Sequence, residues 1–257
     1  MDFLSLDLQT LLIVCPLVFL GGFVDSIAGG GGLISLPAYM IAGLPVHLAI
    51  GTNKLSSAMG TFVATLKYAM SGFVPWRLAF VCLFTSIAGS FLGARCALLI
   101  DAKIFTFVML FLLPATLVFV TKTRVFAQRP QGYSTAKTML ICMVITFFLG
   151  MYEGCYGPGT GTFLIIGMVA LAKMDVMQAN GLSKSLNLPM NVGALCVFIL
   201  NGKTLFALGL IAGLFGIVGN WLGATYCTRR GFAAVRPIMA VVIVLFWCRV
   251  AYDYFLN

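Results

Sequence analysis

Charge is what this chain has least of. Of its 257 residues only 9% are Asp, Glu, Lys or Arg, 7 are acidic, and a single residue, His47, is histidine. An ordinary soluble domain carries about a quarter charged residues, so a soluble enzyme of this length is excluded. The chain also lacks a G-x-x-x-x-G-K-[ST] loop, a C-x-x-C pair among its 8 cysteines and any cluster of metal ligands. Nothing therefore points to an ATP-driven pump, a disulfide framework, a metal site or a hydrolase. No catalytic residue, no metal and no cofactor is expected.

What is present is apolar sequence: 61% of residues are hydrophobic and the mean hydropathy is +1.06. At roughly 20 residues per crossing this is an all-α polytopic membrane protein of about eight to ten transmembrane segments. The 16 basic residues, set against 7 acidic ones, give a net charge of +9. They collect in short connections between apolar runs, which is the positive-inside pattern and points to a bilayer, not to nucleic acid. The N-terminal MDFLSLDLQT carries two aspartates and no basic residue. A cleavable signal peptide needs a basic start, so the first apolar run reads as a retained helix.

The chain repeats itself. Gly22-Phe-Val-Asp25-Ser-Ile-Ala-Gly29-Gly-Gly-Gly32 returns 128 residues later as Gly150-Met-Tyr-Glu153-Gly-Cys-Tyr-Gly157-Pro-Gly-Thr160-Gly161. Ala49-Ile-Gly51-Thr-Asn53-Lys54 returns as Ala179-Asn-Gly181-Leu-Ser183-Lys184, and Gly89-Ser-Phe-Leu-Gly93-Ala as Gly219-Asn-Trp-Leu-Gly223-Ala, both at an offset of 130. This order predicts two homologous repeats, 1–120 and 138–257, joined by a basic cytoplasmic linker at 121–137. Each repeat reads as an apolar run (11–28, 138–156), a glycine break, a short apolar piece (33–42, 162–172) and three full-length runs (48–70, 78–100 and 104–120; 179–200, 205–228 and 235–255). The short pieces leave two alternatives open. If they cross, each half makes five passes and the second is inverted; if they turn back, each makes four and the halves are parallel. Loop charge favours the inverted arrangement. The Gly89/Gly93 and Gly219/Gly223 pairs let helices approach closely, and small-residue faces of this kind allow a homodimer.

Ionisable residues inside apolar runs are expensive and therefore informative. Four qualify: Asp25, Glu153, Lys54 and Lys184. From Lys54, helical steps pass Ser57, Thr61, Thr65 and Tyr68; from Lys184 they pass Asn187 and Asn191, with Asn180 behind, so each lysine heads a polar stripe. The short helices that restart after the glycine breaks present free N–H groups and a positive dipole end, which suits an anion. The expected substrate site is thus Gly31, Gly32, Asn53, Lys54, Ser57, Gly159, Thr160, Ser183, Lys184 and Asn187, with Thr160 or Thr162 capping a helix or touching the ligand. Asp25 and Glu153 are the proton-coupling candidates, because a carboxyl group in a low-dielectric setting can exchange protons near neutral pH. His47, in a short connection, reads as interfacial.

These residues carry a family resemblance. The stretch Gly22 to Leu33, the Thr52-Asn53-Lys54-Leu55 block, the stretch Glu153 to Phe163 and the pair Arg236-Pro237 resemble the TauE/SafE family of sulfite exporter-like permeases, in its YfcA-like branch, over residues 10 to 255. The resemblance implies a secondary carrier of the bacterial inner membrane for sulfite, sulfonates or related small organic anions. An anion channel, or uptake of a small carboxylate in place of export, is the alternative. The second glycine motif, Gly157-Pro-Gly-Thr-Gly161, departs from the four glycines of the first, so equivalence of the two half-sites is not assumed.

Overall fold

The computed structural model describes residues 7–101, 104 and 133–230. Among them are eight helices: α1 (Leu8–Ala28), α2 (Gly32–Ile41), α3 (Val46–Met70), α4 (Trp76–Leu99), α5 (Thr135–Cys155), α6 (Thr160–Ala170), α7 (Val176–Leu200) and α8 (Phe206–Arg230). The runs at 105–120 and 235–255, Arg236-Pro237, and 121–132 of the linker lie outside the described residues. The end of that linker, expected to run to 137, is already helix from Thr135.

Five helices, α1, α4, α5, α7 and α8, are long and apolar enough to cross a membrane. Helix α3 is equally long but too polar to count with them. Its polar residues are hidden: Thr52, Asn53, Lys54, Ser56, Thr61, Thr65 and Tyr68 are all buried. An apolar rim around a polar interior is what a bilayer-embedded bundle needs, and Phe80, Phe84, Phe148 and Leu214 form part of that rim.

The packing fixes the direction of every helix. Gly216 and Gly223 of α8 face Val18 and Ser26 of α1, and Gly209 and Gly213 face Leu55 and Met59 of α3, so these three helices run side by side in one direction. Gly89 and Gly93 of α4 face Phe147 and Met151 of α5, which therefore run parallel to each other. His47, at the start of α3, meets the Ala97 carbonyl near the end of α4 at 3.0 Å, so α4 opposes α3. Gly51 of α3 faces Lys203, past the end of α7, and Gly181 near its start faces Phe73, so α7 opposes α3 too. Helices α1, α3 and α8 run one way; α4, α5 and α7 run the other.

Each short helix runs antiparallel to the helix before it, toward the face where that helix began. Ten residues of helix cover about 15 Å, half a bilayer. Gly21 faces Ser35, and the Gly31 N–H reaches the Asp25 carboxylate at 3.2 Å, so α2 retraces α1 toward the face where α1 began. Helix α3 then starts from that face, which is the connectivity of the five-pass alternative although α2 does not itself span. Helix α6 returns along α5 in the same manner, ending where Cys142 meets Met174. Lys67, Arg77, Lys137, Lys173 and Arg229 gather at one face, Arg95 and Lys203 at the other.

Packing partners exchange between the halves: α1 lies on α8 as α5 lies on α4, and α3 lies on α8 as α7 lies on α4. The Gly89/Gly93 and Gly219/Gly223 faces are buried inside the chain, against α5 and α1 respectively. Gly93→Ala drives a methyl into the Met151 backbone and should cost about 1–3 kcal/mol. Gly167→Ala, which meets only flexible Ile145 side-chain atoms at 3.4 Å, should be nearly silent. Thermal unfolding in detergent measures both, and equal losses would contradict this packing.

Candidate functional site

The two glycine breaks touch at the centre of the bundle. Gly29 ends α1 with φ 80, and a Cβ there would collide with the Gly161 and Thr162 backbone. The Thr162 N–H donates to the Gly29 carbonyl at 3.2 Å, and the Thr162 hydroxyl to the Ala28 carbonyl at 2.7 Å. Only glycine permits both the left-handed turn and this contact. Gly157 is fixed for similar reasons: its φ is 96 and a Cβ would lie 2.6 Å from the Lys54 ammonium. The N-terminus of α2 and that of α6 are therefore held close together in the middle of the protein.

Beside them the four ionisable residues pair across the halves. Lys54 of α3 bonds Glu153 of α5, Nζ to Oε1 at 2.6 Å, and also donates to the Glu153 backbone carbonyl. Lys184 of α7 bonds Asp25 of α1, Nζ to Oδ2 at 2.8 Å, while the other Asp25 oxygen accepts from the Gly31 N–H. Each lysine thus reaches the acid of the other half, and the four formal charges cancel. The pairs differ in access. The Glu153 side chain is 6% exposed, whereas Asp25 is 17% exposed and opens onto a cavity.

That cavity measures about 40 Å³, room for about three water molecules. Glycines of both breaks line it, as do Asp25, Glu153, Ser35, Asn53, Ser56, Ser57, Thr61, Asn187, Asn191 and Asn220. Gly32 and Gly161, near the two short-helix starts, also line it, and neither N–H bonds a backbone carbonyl. Their amides are the orphan donors of a helix start, backed by the dipole.

Of the expected site residues, Gly31, Gly32, Asn53, Ser57, Asn187, Asp25 and Glu153 line this one cavity. Lys54 and Lys184 stand behind the carboxylates. The Ser183 hydroxyl donates to the Gly161 carbonyl and that of Thr160 to the Gly157 carbonyl, so both brace the second break. Gly159 supplies its left-handed N-cap with φ 86. Neither Thr160 nor Thr162 caps α6. Asn180 and Tyr68, at the far ends of the stripes, bond each other at 2.8 Å and tie α1 down through the Ile27 and Ser26 carbonyls. Ser35, Ser56 and Asn220 line the cavity although none stands on either lysine stripe. Asn191 and Thr61 belong to those stripes, whereas Asn220 sits inside the Gly219/Gly223 motif, which close packing alone explains.

The chain matches the family model Sulfite exporter TauE/SafE over residues 14–250. The chain belongs to the TauE/SafE family. A probable membrane transporter protein of Sinorhizobium sp is 35% identical over 240 residues, covering 91% of this chain and 90% of that one. One from Haemophilus influenzae is 29% identical over 97% of this chain and 98% of its own. The probable membrane transporter protein YfcA of Escherichia coli is 29% identical over 95% and 94%. No solved structure matches. This TauE/SafE member is accordingly a multi-pass membrane transporter and not an enzyme.

Removing one member of a buried ion pair strands the other. Lys54→Met should lower stability by about 3–5 kcal/mol, and Lys54→Met/Glu153→Leu should recover most of that loss. Thermal unfolding of the single and double variants in detergent reads it. A double variant no more stable than Lys54→Met would contradict the pairing.

Proposed function

We propose that this TauE/SafE member is a secondary carrier of the bacterial inner membrane that moves a small organic or sulfur oxyanion together with a proton. One observation carries the reading: a polar cavity with the N–H groups of two short helices on its wall, flanked by two ion pairs whose charges sum to zero. A neutral site in a low-dielectric bundle gives an anion hydrogen bonds but no net charge to meet it. A proton supplies that charge. When Asp25 takes up a proton, Lys184 loses its counter-ion and becomes a partner for the anion; when the anion leaves, the pair re-forms and the proton departs. Both acids line the cavity, and Asp25 is the better candidate for this exchange because its side chain is 17% exposed against 6% for Glu153.

The exchange of packing partners between the halves supports an inverted repeat, and with it alternating access by rocking of one half against the other. The family name favours sulfite or a sulfonate as the anion, and the small cavity suits a substrate of few heavy atoms. Saturable uptake into proteoliposomes of sulfite, sulfate, sulfoacetate, taurine or acetate, accelerated by an imposed pH gradient, is the expected result. Lys184→Ala should reduce that uptake by about tenfold or more, the loss of a hydrogen bond to a charged group. Flux that never saturates, or full flux in Lys184→Ala, would contradict the reading.

A further inference from the structure

The cavity offers more than donors. Asn191 and Asn220 line it, are 1% and 4% exposed, and each has a side-chain oxygen that nothing in the chain bonds. Their orientations are pinned by their own amide nitrogens. Asn191 Nδ2 donates to the Asn187 backbone carbonyl at 2.9 Å and to Asn187 Oδ1 at 2.5 Å; Asn220 Nδ2 donates to the Gly216 carbonyl at 2.9 Å. Turning either amide over would set oxygen against oxygen, so the free atom at each is an acceptor. Asn53 adds a third buried oxygen without a partner. Buried acceptors of this kind are strongly disfavoured unless something donates to them.

An anion that is all acceptor satisfies the Gly32 and Gly161 N–H groups and leaves these oxygens bare. We propose that the cavity selects a small anion carrying a hydrogen-bond donor of its own, a hydroxy- or amino-substituted sulfonate or carboxylate. Its acidic end lies against the two glycine N–H groups, and its hydroxyl or amino group donates to Asn191 and Asn220. The division follows the fold: the glycines are the two short-helix starts, whereas the asparagines belong to α7 and α8. Asn220 has Ser90 as its counterpart at the 130-residue offset, so the acceptor wall is asymmetric. That asymmetry gives the ligand one orientation.

This inference rests on the anion-carrier reading, and matched substrates separate the two. Uptake into proteoliposomes is compared for 2-hydroxyethanesulfonate against ethanesulfonate, and for glycolate against acetate, at one pH and one gradient. Each pair differs by a hydroxyl. Wild-type protein should favour the hydroxylated member in kcat/KM by about tenfold or more, as expected when a buried acceptor is left unmet. In Asn220→Leu and Asn191→Leu the ratio should fall toward one, with thermal unfolding used to verify that each variant is folded. The wild-type comparison requires no variant at all. Equal uptake within both pairs overturns the inference and leaves the carrier standing. No uptake of any of the four anions overturns the inference, and the carrier reading falls with it only when sulfite, sulfate, sulfoacetate and taurine also fail to move.

Discussion

Two ammonium groups sit in the middle of this bundle, and the rest of the structure depends on how they are held there. A buried lysine is tolerable only opposite a carboxylate with its remaining hydrogen bonds met. Lys54 and Lys184 are 1% and 0% exposed, and each finds its acid across the boundary between halves. The pairs therefore join the two halves as well as neutralise themselves. Each acid is placed by its glycine break: Asp25 and Glu153 stand one turn before the points where α1 and α5 stop, and only a turn of glycines lets the chain reverse so close to a neighbouring turn.

The same reversal creates the cavity. By turning back at the centre, α2 and α6 expose helix starts where an uninterrupted membrane helix would expose nothing but side chains. Their N–H groups, the Asp25 carboxylate and a wall of Ser, Thr and Asn side chains then share one small space. The helix starts, the charge balance and the joint between halves meet there, so a change in any one is felt by the others. That coupling is what a carrier requires.

Much of this could be read from the sequence. Asp25, Glu153, Lys54 and Lys184 stood out because ionisable residues are rare in apolar runs, and the glycine breaks stood out because helices do not tolerate them. Seven of the residues expected at the site do line the cavity. The partners could not be read: Lys54 and Glu153 are 99 residues apart and Lys184 and Asp25 159, and nothing local says that each lysine crosses to the other half. Ser183 and Thr160 looked like ligand contacts because they are polar beside a glycine break, yet both hydroxyls serve backbone carbonyls freed by the break itself. Asn220 was hidden for the opposite reason, its neighbours Gly219 and Gly223 being explained by close packing against α1. The course of the short helices was ambiguous, because a helix of half a bilayer's length has the same composition whether it crosses or returns.

In the proposed cycle a carboxylate gives up its lysine to the anion by taking a proton. Infrared difference spectroscopy of the reconstituted protein, recorded on addition of the transported anion, observes this directly. A protonated-carboxyl band should appear with substrate and be absent in Asp25→Asn. Saturating anion with every carboxyl still ionised would contradict it.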